Sequence, residues 1–211
     1  MQIAVIGHGR VGGALARGLA AAGHTVTIGA RDPGAAEVIA LQAAVPGLRV
    51  AAPAAAVAGA EALVLAVPFE AAAGVLAPLR ADLAGKILID CTNPVGPGLT
   101  HGLGSTQSGT AALAAVVPEA RAVKAFSVYG YENLADPPAP VDGVRPAMFF
   151  CGDDAGAKAA VGGLITDLGF APLDVGGLVQ ALHLEHMTLL WVRMVRAGRR
   201  SPRLVWAALG G

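Results

Sequence analysis

Apolar runs suited to buried parallel strands recur along the chain at residues 3–6, 25–28, 63–67 and 87–89, with helix-compatible stretches between several of them. Strands that read as continuous apolar runs, without polar alternation, suit a parallel sheet covered on both faces. Between the first two runs Val11, Leu15 and Leu19 recur at four-residue spacing, which puts them on one helical face turned toward that sheet. Asp32 and Pro33 carry the signature of a following helix, Asp32 as N-cap and Pro33 in the first turn. After Asn93 the pattern breaks into a Gly-, Pro- and Ser-rich stretch, 94–109, which reads either as a loop over a binding site or as a plain surface loop. A strand at 122–126 follows, then a loop at 135–144 in which Pro137, Pro138 and Pro140 forbid helix. The remainder reads as a strand at 147–151, a helix at 154–168, a short strand at 171–174 and a long helix at 179–196. This rhythm predicts an α/β fold: a Rossmann-type, doubly wound, mostly parallel sheet over 1–145, with a small C-terminal αβ subdomain at 146–211 packed on it.

The first strand runs straight into Gly7-His8-Gly9-Arg10-Val11-Gly12, a Gly-x-Gly-x-x-Gly spacing between a strand and a helix. In that context Gly7 serves the tight turn, Gly9 the approach of backbone N–H groups to a pyrophosphate, and Gly12 the close packing of helix on strand. The helix N-terminus adds unpaired donors and partial positive charge for the anion. The end of the second strand distinguishes the two nicotinamide dinucleotides. An acid there would bind the adenosine ribose of NAD, whereas this chain has Gly29-Ala30-Arg31, and Arg31 can pair with a 2′-phosphate through its planar fork of donors. The segment therefore favours NADP, with Asp32 explained as a helix cap. Ala66-Val67-Pro68 and Asp90-Cys91-Thr92-Asn93-Pro94 close two further strands at their carboxyl ends, where open α/β sheets bind ligands. Asn93 is a candidate hydrogen-bonding partner for a ribose or the nicotinamide amide, with Pro68 and Pro94 fixing the backbone; ordinary turn chemistry is the alternative.

Composition narrows the partners. Apolar residues make up 55% of the 211 residues and charged ones 14%, yet no uninterrupted apolar run reaches the roughly 18 residues of a membrane span. Fifteen basic residues balance fifteen acidic ones, so no net field favours nucleic acid or acidic lipid, and a small-molecule substrate is expected. No signal peptide is recognised ahead of the first strand, which predicts a cytoplasmic protein. Cys91 and Cys151 then read as reduced core thiols, a disulfide being the alternative. The last long helix carries Leu182, Leu184, Met187, Leu189, Leu190, Trp191, Val192, Met194 and Val195, apolar groups on nearly every face, which predicts a homodimer closing over it or, failing that, a central core helix.

These residues together resemble the family of NADPH-dependent coenzyme F420 reductases. The glycine turn carries the resemblance along with Thr27–Pro33, Asp90–Pro94, Val123-Lys124-Ala125-Phe126, Phe150–Asp154, Leu168-Gly169-Phe170, and Leu173–Gly176 running into Gln180-Ala181. It implies a Rossmann domain, a small C-terminal subdomain, NADP(H), and hydride exchange with a second redox partner, F420 among the possibilities. The family typically has Asn after Lys-Ala-Phe; here stands Ser127, followed by Val128-Tyr129-Gly130-Tyr131, where a second ligand is expected. The resemblance thus speaks more for the cofactor than for the substrate.

Transfer of hydride between nicotinamide and a deazaflavin requires mainly that two rings be aligned, so no catalytic side chain is assigned. An imine or carbonyl reductase, the second reading, needs a proton donor, for which Tyr129, Tyr131, Lys124, His101 and Ser127 are the available types. Lys124 reads first as a surface lysine at a strand end and the tyrosines as packing or capping residues. His183 and His186 share a His-x-x-His spacing without a third ligand, so no metal is assigned, and Glu185 reads as a helix residue. A non-catalytic NADP-binding redox sensor is the reading from another class.

Overall fold

The computed structural model describes residues 1–209. In chain order the elements are β1 (Gln2–Ile6), α1 (Arg10–Ala21), β2 (Thr25–Gly29), α2 (Ala36–Ala44), β3 (Arg49–Ala51), α3 (Pro53–Ala58), β4 (Ala62–Leu65), α4 (Phe69–Leu76), α5 (Arg80–Leu83) and β5 (Ile87–Asp90). There follow β6 (Val95–Gly96), β7 (Thr100–His101), α6 (Gly109–Val116), β8 (Arg121–Lys124), α7 (Tyr131–Ala135), β9 (Ala147–Gly152), α8 (Ala155–Asp167), β10 (Ala171–Asp174) and α9 (Ala181–Val192).

Eight strands form one sheet in the order β10-β9-β8-β5-β4-β1-β2-β3. The pairings are parallel except β8 with β9, which is antiparallel. The Rossmann-type, mostly parallel sheet expected from the apolar runs is thus present. Chain order reverses between β1 and β4, the position at which such sheets open a crevice for ligands. Two apolar clusters cover the two faces. One packs α1, α2, α8 and α9 on residues such as Val5, Val64, Ile89 and Phe126; the other packs α3, α4 and α6 on Ala4, Ile6, Leu63 and Leu88. Leu15 and Leu19 of α1 are fully buried and Val11 packs beside them, as their spacing requires. Each such leucine contributes about 1.5–3 kcal/mol through removal from water.

Three local expectations change. Asp32 does not cap α2, which begins at Ala36 after Ala35; its Oδ1 instead accepts the Gly34 N–H at 2.9 Å, an Asx turn that Pro33-Gly34 prolongs before the helix starts. The stretch 94–109 contains a short β6–β7 hairpin, with Val95 opposite His101. Strand β3 is a three-residue edge strand too short and mixed to stand out in the apolar pattern. No helix among the described residues is long and apolar enough to cross a membrane.

Candidate functional site

The turn between β1 and α1 is built as its glycines require. Gly7 has φ +107°, and a Cβ there would lie 2.2 Å from the Ala66 carbonyl oxygen. A Cβ on Gly12 would lie 1.7 Å from the Gly7 oxygen, so the helix can approach the turn only without a side chain. Gly9, the N-cap of α1, is different: nothing lies within 4 Å of a Cβ built there. Its bareness serves no protein contact and leaves the helix N-terminus open to an anion.

One cleft of about 330 Å³ gathers Gly7, His8, Gly9, Ala30, Arg31, Ala66, Val67 and Pro68, with Pro53, Ala71 and Val75 on its far wall. Ala30 is buried and donates its N–H to the Ala51 carbonyl, whereas Arg31 is exposed at the rim. Pro68 is the N-cap of α4, so Ala66, Val67 and Pro68 bend the chain out of β4 and line the crevice. Val11 is half-buried against the core. Arg10 faces elsewhere: its guanidinium lies 5.0 Å from the centre of the Tyr131 ring, in a second cleft of about 490 Å³ shared with His8, Arg17 and Glu37. Asn93 and Pro94 line neither cleft and stand at the end of β5. There the Asn93 Nδ2 donates to the Ser127 carbonyl at 3.2 Å.

The neighbourhood of Asn93 holds three buried polar atoms without a protein partner, Thr92 Oγ1, Asn93 Oδ1 and Ser127 Oγ. Unsatisfied buried acceptors and hydroxyls cost about 1–3 kcal/mol each. The preceding residue, Phe126, is buried with φ +56°, a conformation that strains a bulky side chain. It turns the chain at the end of β8, where the Ser127 carbonyl accepts from Asn93 Nδ2 and lies 3.0 Å from Thr188 Oγ1, whose one proton it shares with the Leu184 carbonyl at 2.9 Å.

Beneath this turn lies a charged cluster that the sequence reading missed. Lys124 is completely buried, not a surface lysine; its ammonium donates to the Thr92 carbonyl and to Asp90 Oδ2 at 3.2 Å and sits 3.6 Å from Glu185 Oε1. Asp90 also accepts from Thr110 Oγ1 at 2.6 Å. Glu185 is likewise a buried anchor and not merely a helix residue. It accepts from His101 Nε2 at 2.8 Å and from the backbone N–H groups of Gly109 and Thr110 at 3.0 and 3.2 Å, where α6 begins. The available signal was a charge ending an apolar run, as in Ile87-Leu88-Ile89-Asp90.

The remaining candidates are dispersed. The Tyr129 hydroxyl donates to the Ala147 carbonyl and accepts the Trp206 N–H at 3.0 Å; burial pushes its pKa far up, so it stays protonated. Tyr131 belongs to the cleft of Arg10. His183 is exposed, His186 meets Ser105 Oγ at 3.1 Å, and among the described residues no group of three or more His, Cys, Asp or Glu could hold a metal ion. Cys91 and Cys151 are both free and buried. Burial, seconded by Asp90, pushes the Cys91 thiol up, and burial raises Cys151 from 9.0 to about 12.

Residues 2–94 match the family described as NADP oxidoreductase, coenzyme F420-dependent. Over nearly its whole length the chain superposes on a structure described as a "putative f420 dependent nadp-reductase" from Arthrobacter sp. FB24, with 32% identity, TM-score 0.85, and coverage of 94% of this chain and 95% of that one. A hypothetical protein, SMa0349, from Sinorhizobium meliloti is similar at 28% identity and TM-score 0.77, covering 86% and 88% of the two chains. The chain is also 33% identical over 189 residues to the metalloreductase STEAP3 of Rattus norvegicus; the match takes in 89% of this chain and 36% of that longer protein. With the glycine turn, the crevice and near end-to-end similarity in agreement, the chain belongs to the coenzyme F420-dependent family of NADP oxidoreductases.

Proposed function

We propose that this protein moves a hydride between NADP(H) and a conjugated ring of the deazaflavin type, coenzyme F420 being the first candidate. Its residues bind and align rather than act as acids or bases. The observation that carries this reading is the engagement of three of the five proton-donor candidates, with Tyr131 standing apart from Asn93 in the cleft of Arg10. Lys124 is held by Thr92, Asp90 and Glu185, His101 by Glu185, and Tyr129 by Ala147 and Trp206. Ser127 retains an unpartnered hydroxyl, a group suited to hydrogen bonding more than to proton donation. Reduction of an imine or carbonyl calls for such a donor, whereas ring-to-ring hydride transfer is served by proximity and orientation.

NADP(H), when bound, supplies or accepts the hydride. Gly7, His8, Gly9, Arg10, Val11 and Gly12 would present the turn and the N-terminus of α1 to its pyrophosphate. Ala30 and Arg31 would receive the adenosine 2′-phosphate, Ala66, Val67 and Pro68 would wall the crevice, and Asn93 and Pro94 would meet the nicotinamide end. The open space over Gly9 and the unpartnered Asn93 Oδ1 support this placement. Residues 1–145 would act as the dinucleotide-binding part and 146–211 as the smaller part packed on it, in a cytoplasmic homodimer closing over the outer face of α9, where Leu190 is half-exposed.

The test is NADPH oxidation across a panel of F420, flavins, quinones, imines and aldehydes. Turnover with F420 is the expected result. Turnover confined to an imine or aldehyde would replace the proposal with an imine or carbonyl reductase, and tight NADPH binding without turnover would make the protein a redox sensor.

A further inference from the structure

The charged cluster under the β5 and β8 turns has a geometry that points at the cofactor end of the site. Asp90 Oδ1 accepts the Thr92 N–H at 2.9 Å while the Lys124 ammonium holds the Thr92 carbonyl, so both backbone groups of Thr92 are tied to one ion pair. That carbonyl belongs to the peptide leading into Asn93. The pair therefore sets the direction in which the Asn93 carboxamide leaves the chain. The carboxamide is steadied from its other side by the Ser127 carbonyl, which Thr188 Oγ1 holds in turn. Glu185 and Thr188 lie three residues apart on the buried face of α9, so one helix braces the turns after both strands. Gly109 makes room for this: a Cβ there would meet Phe69 at 2.6 Å and Glu185 Oε1 at 3.3 Å.

Burying four ionisable side chains is costly, and an ion pair of this depth seldom improves stability over well-packed apolar residues. Within the cluster it is the Asp90–Lys124 pair whose bonds meet on Thr92, the residue before the unpartnered Asn93 acceptor, while Glu185 ties Lys124 to the hairpin and the start of α6. We infer that Lys124 and Asp90 are a positioning pair that holds the Asn93 carboxamide, through the Thr92–Asn93 peptide, in the orientation needed to accept a hydrogen bond from the nicotinamide half of NADP(H), with Glu185 backing Lys124 from 3.6 Å. Thr188 supports the same carboxamide through Ser127. The inference rests on the placement of Asn93 proposed above.

The experiment compares two ligands, NADPH and 2′,5′-ADP, which carries the adenosine and 2′-phosphate but no nicotinamide. The Lys124→Met/Asp90→Asn double variant removes one charge of each sign at nearly constant volume, with folding checked by circular dichroism and thermal melting. It should weaken NADPH about three- to tenfold, the equivalent of one hydrogen bond, and leave 2′,5′-ADP within about twofold. In an Asn93→Ala background the same pair of changes should cost nothing further, because the groups act through Asn93. Unchanged NADPH affinity in the folded variant, or an equal loss in the Asn93→Ala background, would overturn the positioning role. Asn93→Ala binding NADPH as tightly as wild type would overturn the placement itself and the inference with it. If the double variant does not fold, Asp90→Asn alone carries the same comparison, with about threefold loss for NADPH alone expected and no selective loss overturning the inference.

Discussion

Replacing Arg31 by Ala should abolish most of the preference for NADPH over NADH while leaving the fold intact. The side chain is exposed at the rim of the crevice, so its removal empties no core. Its neighbour Asp32 is turned away to the Gly34 N–H, leaving the guanidinium as the charged group available to a 2′-phosphate at the end of β2. A charge-assisted hydrogen bond contributes about 1.5–3 kcal/mol, and solvent exposure argues for the lower end. At about 1.4 kcal/mol per tenfold, the variant should bind NADPH and 2′,5′-ADP roughly tenfold more weakly and NADH unchanged. Salt supplies a second check. Raising ionic strength from about 0.1 to 1 M shortens the screening length from about 10 to 3 Å, so the wild-type preference should shrink and the variant should respond less. Titration of the three ligands into both proteins at two salt concentrations decides the matter. Equal wild-type affinity for NADPH and NADH, or an Arg31→Ala variant that weakens both alike, would refute the assignment of Arg31 to the 2′-phosphate.

The two other glycines of the turn should respond oppositely to bulk. Gly9→Val should melt near the wild-type temperature yet lose NADPH binding, while Gly12→Val should be strongly destabilised by its clash with the Gly7 oxygen; a stable Gly12→Val variant would refute that packing. Cys151, raised by burial from 9.0 to about 12, should keep its proton in the folded state while the unfolded chain releases it above about pH 9. The resulting stabilisation is whole below about pH 9 and lost as pH rises toward 12, so melting temperature should fall less steeply over that range in Cys151→Ala than in wild type. The same burial predicts that neither thiol is alkylated in native protein near pH 8, and stoichiometric labelling would contradict it. On the proposed homodimer, Leu190→Asp should give a monomer in light scattering, and a monomeric wild type would remove that proposal; Trp191→Asp cannot serve this test, since Trp191 is 1% exposed and belongs to the chain's own core.

What was legible in the sequence is what repeats locally. Strands buried on both faces announce themselves as apolar runs, and the glycine turn announces itself because Gly7 and Gly12 answer contacts within a few residues or across one strand, as their clashes show. The turn after β2 was harder, because Asp32 before Pro33 fits a helix cap and an Asx turn equally well until the helix is seen to begin at Ala36. Edge strand β3 buries too little to leave a pattern.

Lys124 and Glu185 were misread for a different reason, and the reason bears on how the site is built. A charged residue at a strand end or on a helix is ordinarily solvated, so its local sequence favours the surface. Its burial here is decided by contacts at sequence distances no local pattern can carry: Lys124 to Asp90 across 34 residues, and Glu185 to His101 and Thr110 across 84 and 75. These contacts join the end of β5, the hairpin, the start of α6, the end of β8 and α9 into a single unit. The glycine turn is therefore fixed by contacts within α1 and with the end of the neighbouring β4, whereas the turn that carries Asn93 is braced by the C-terminal helix. On the placement proposed for NADP(H), variation within α9 would then bear on the nicotinamide end while leaving the glycine turn untouched, which would separate cofactor choice from substrate choice within one small fold.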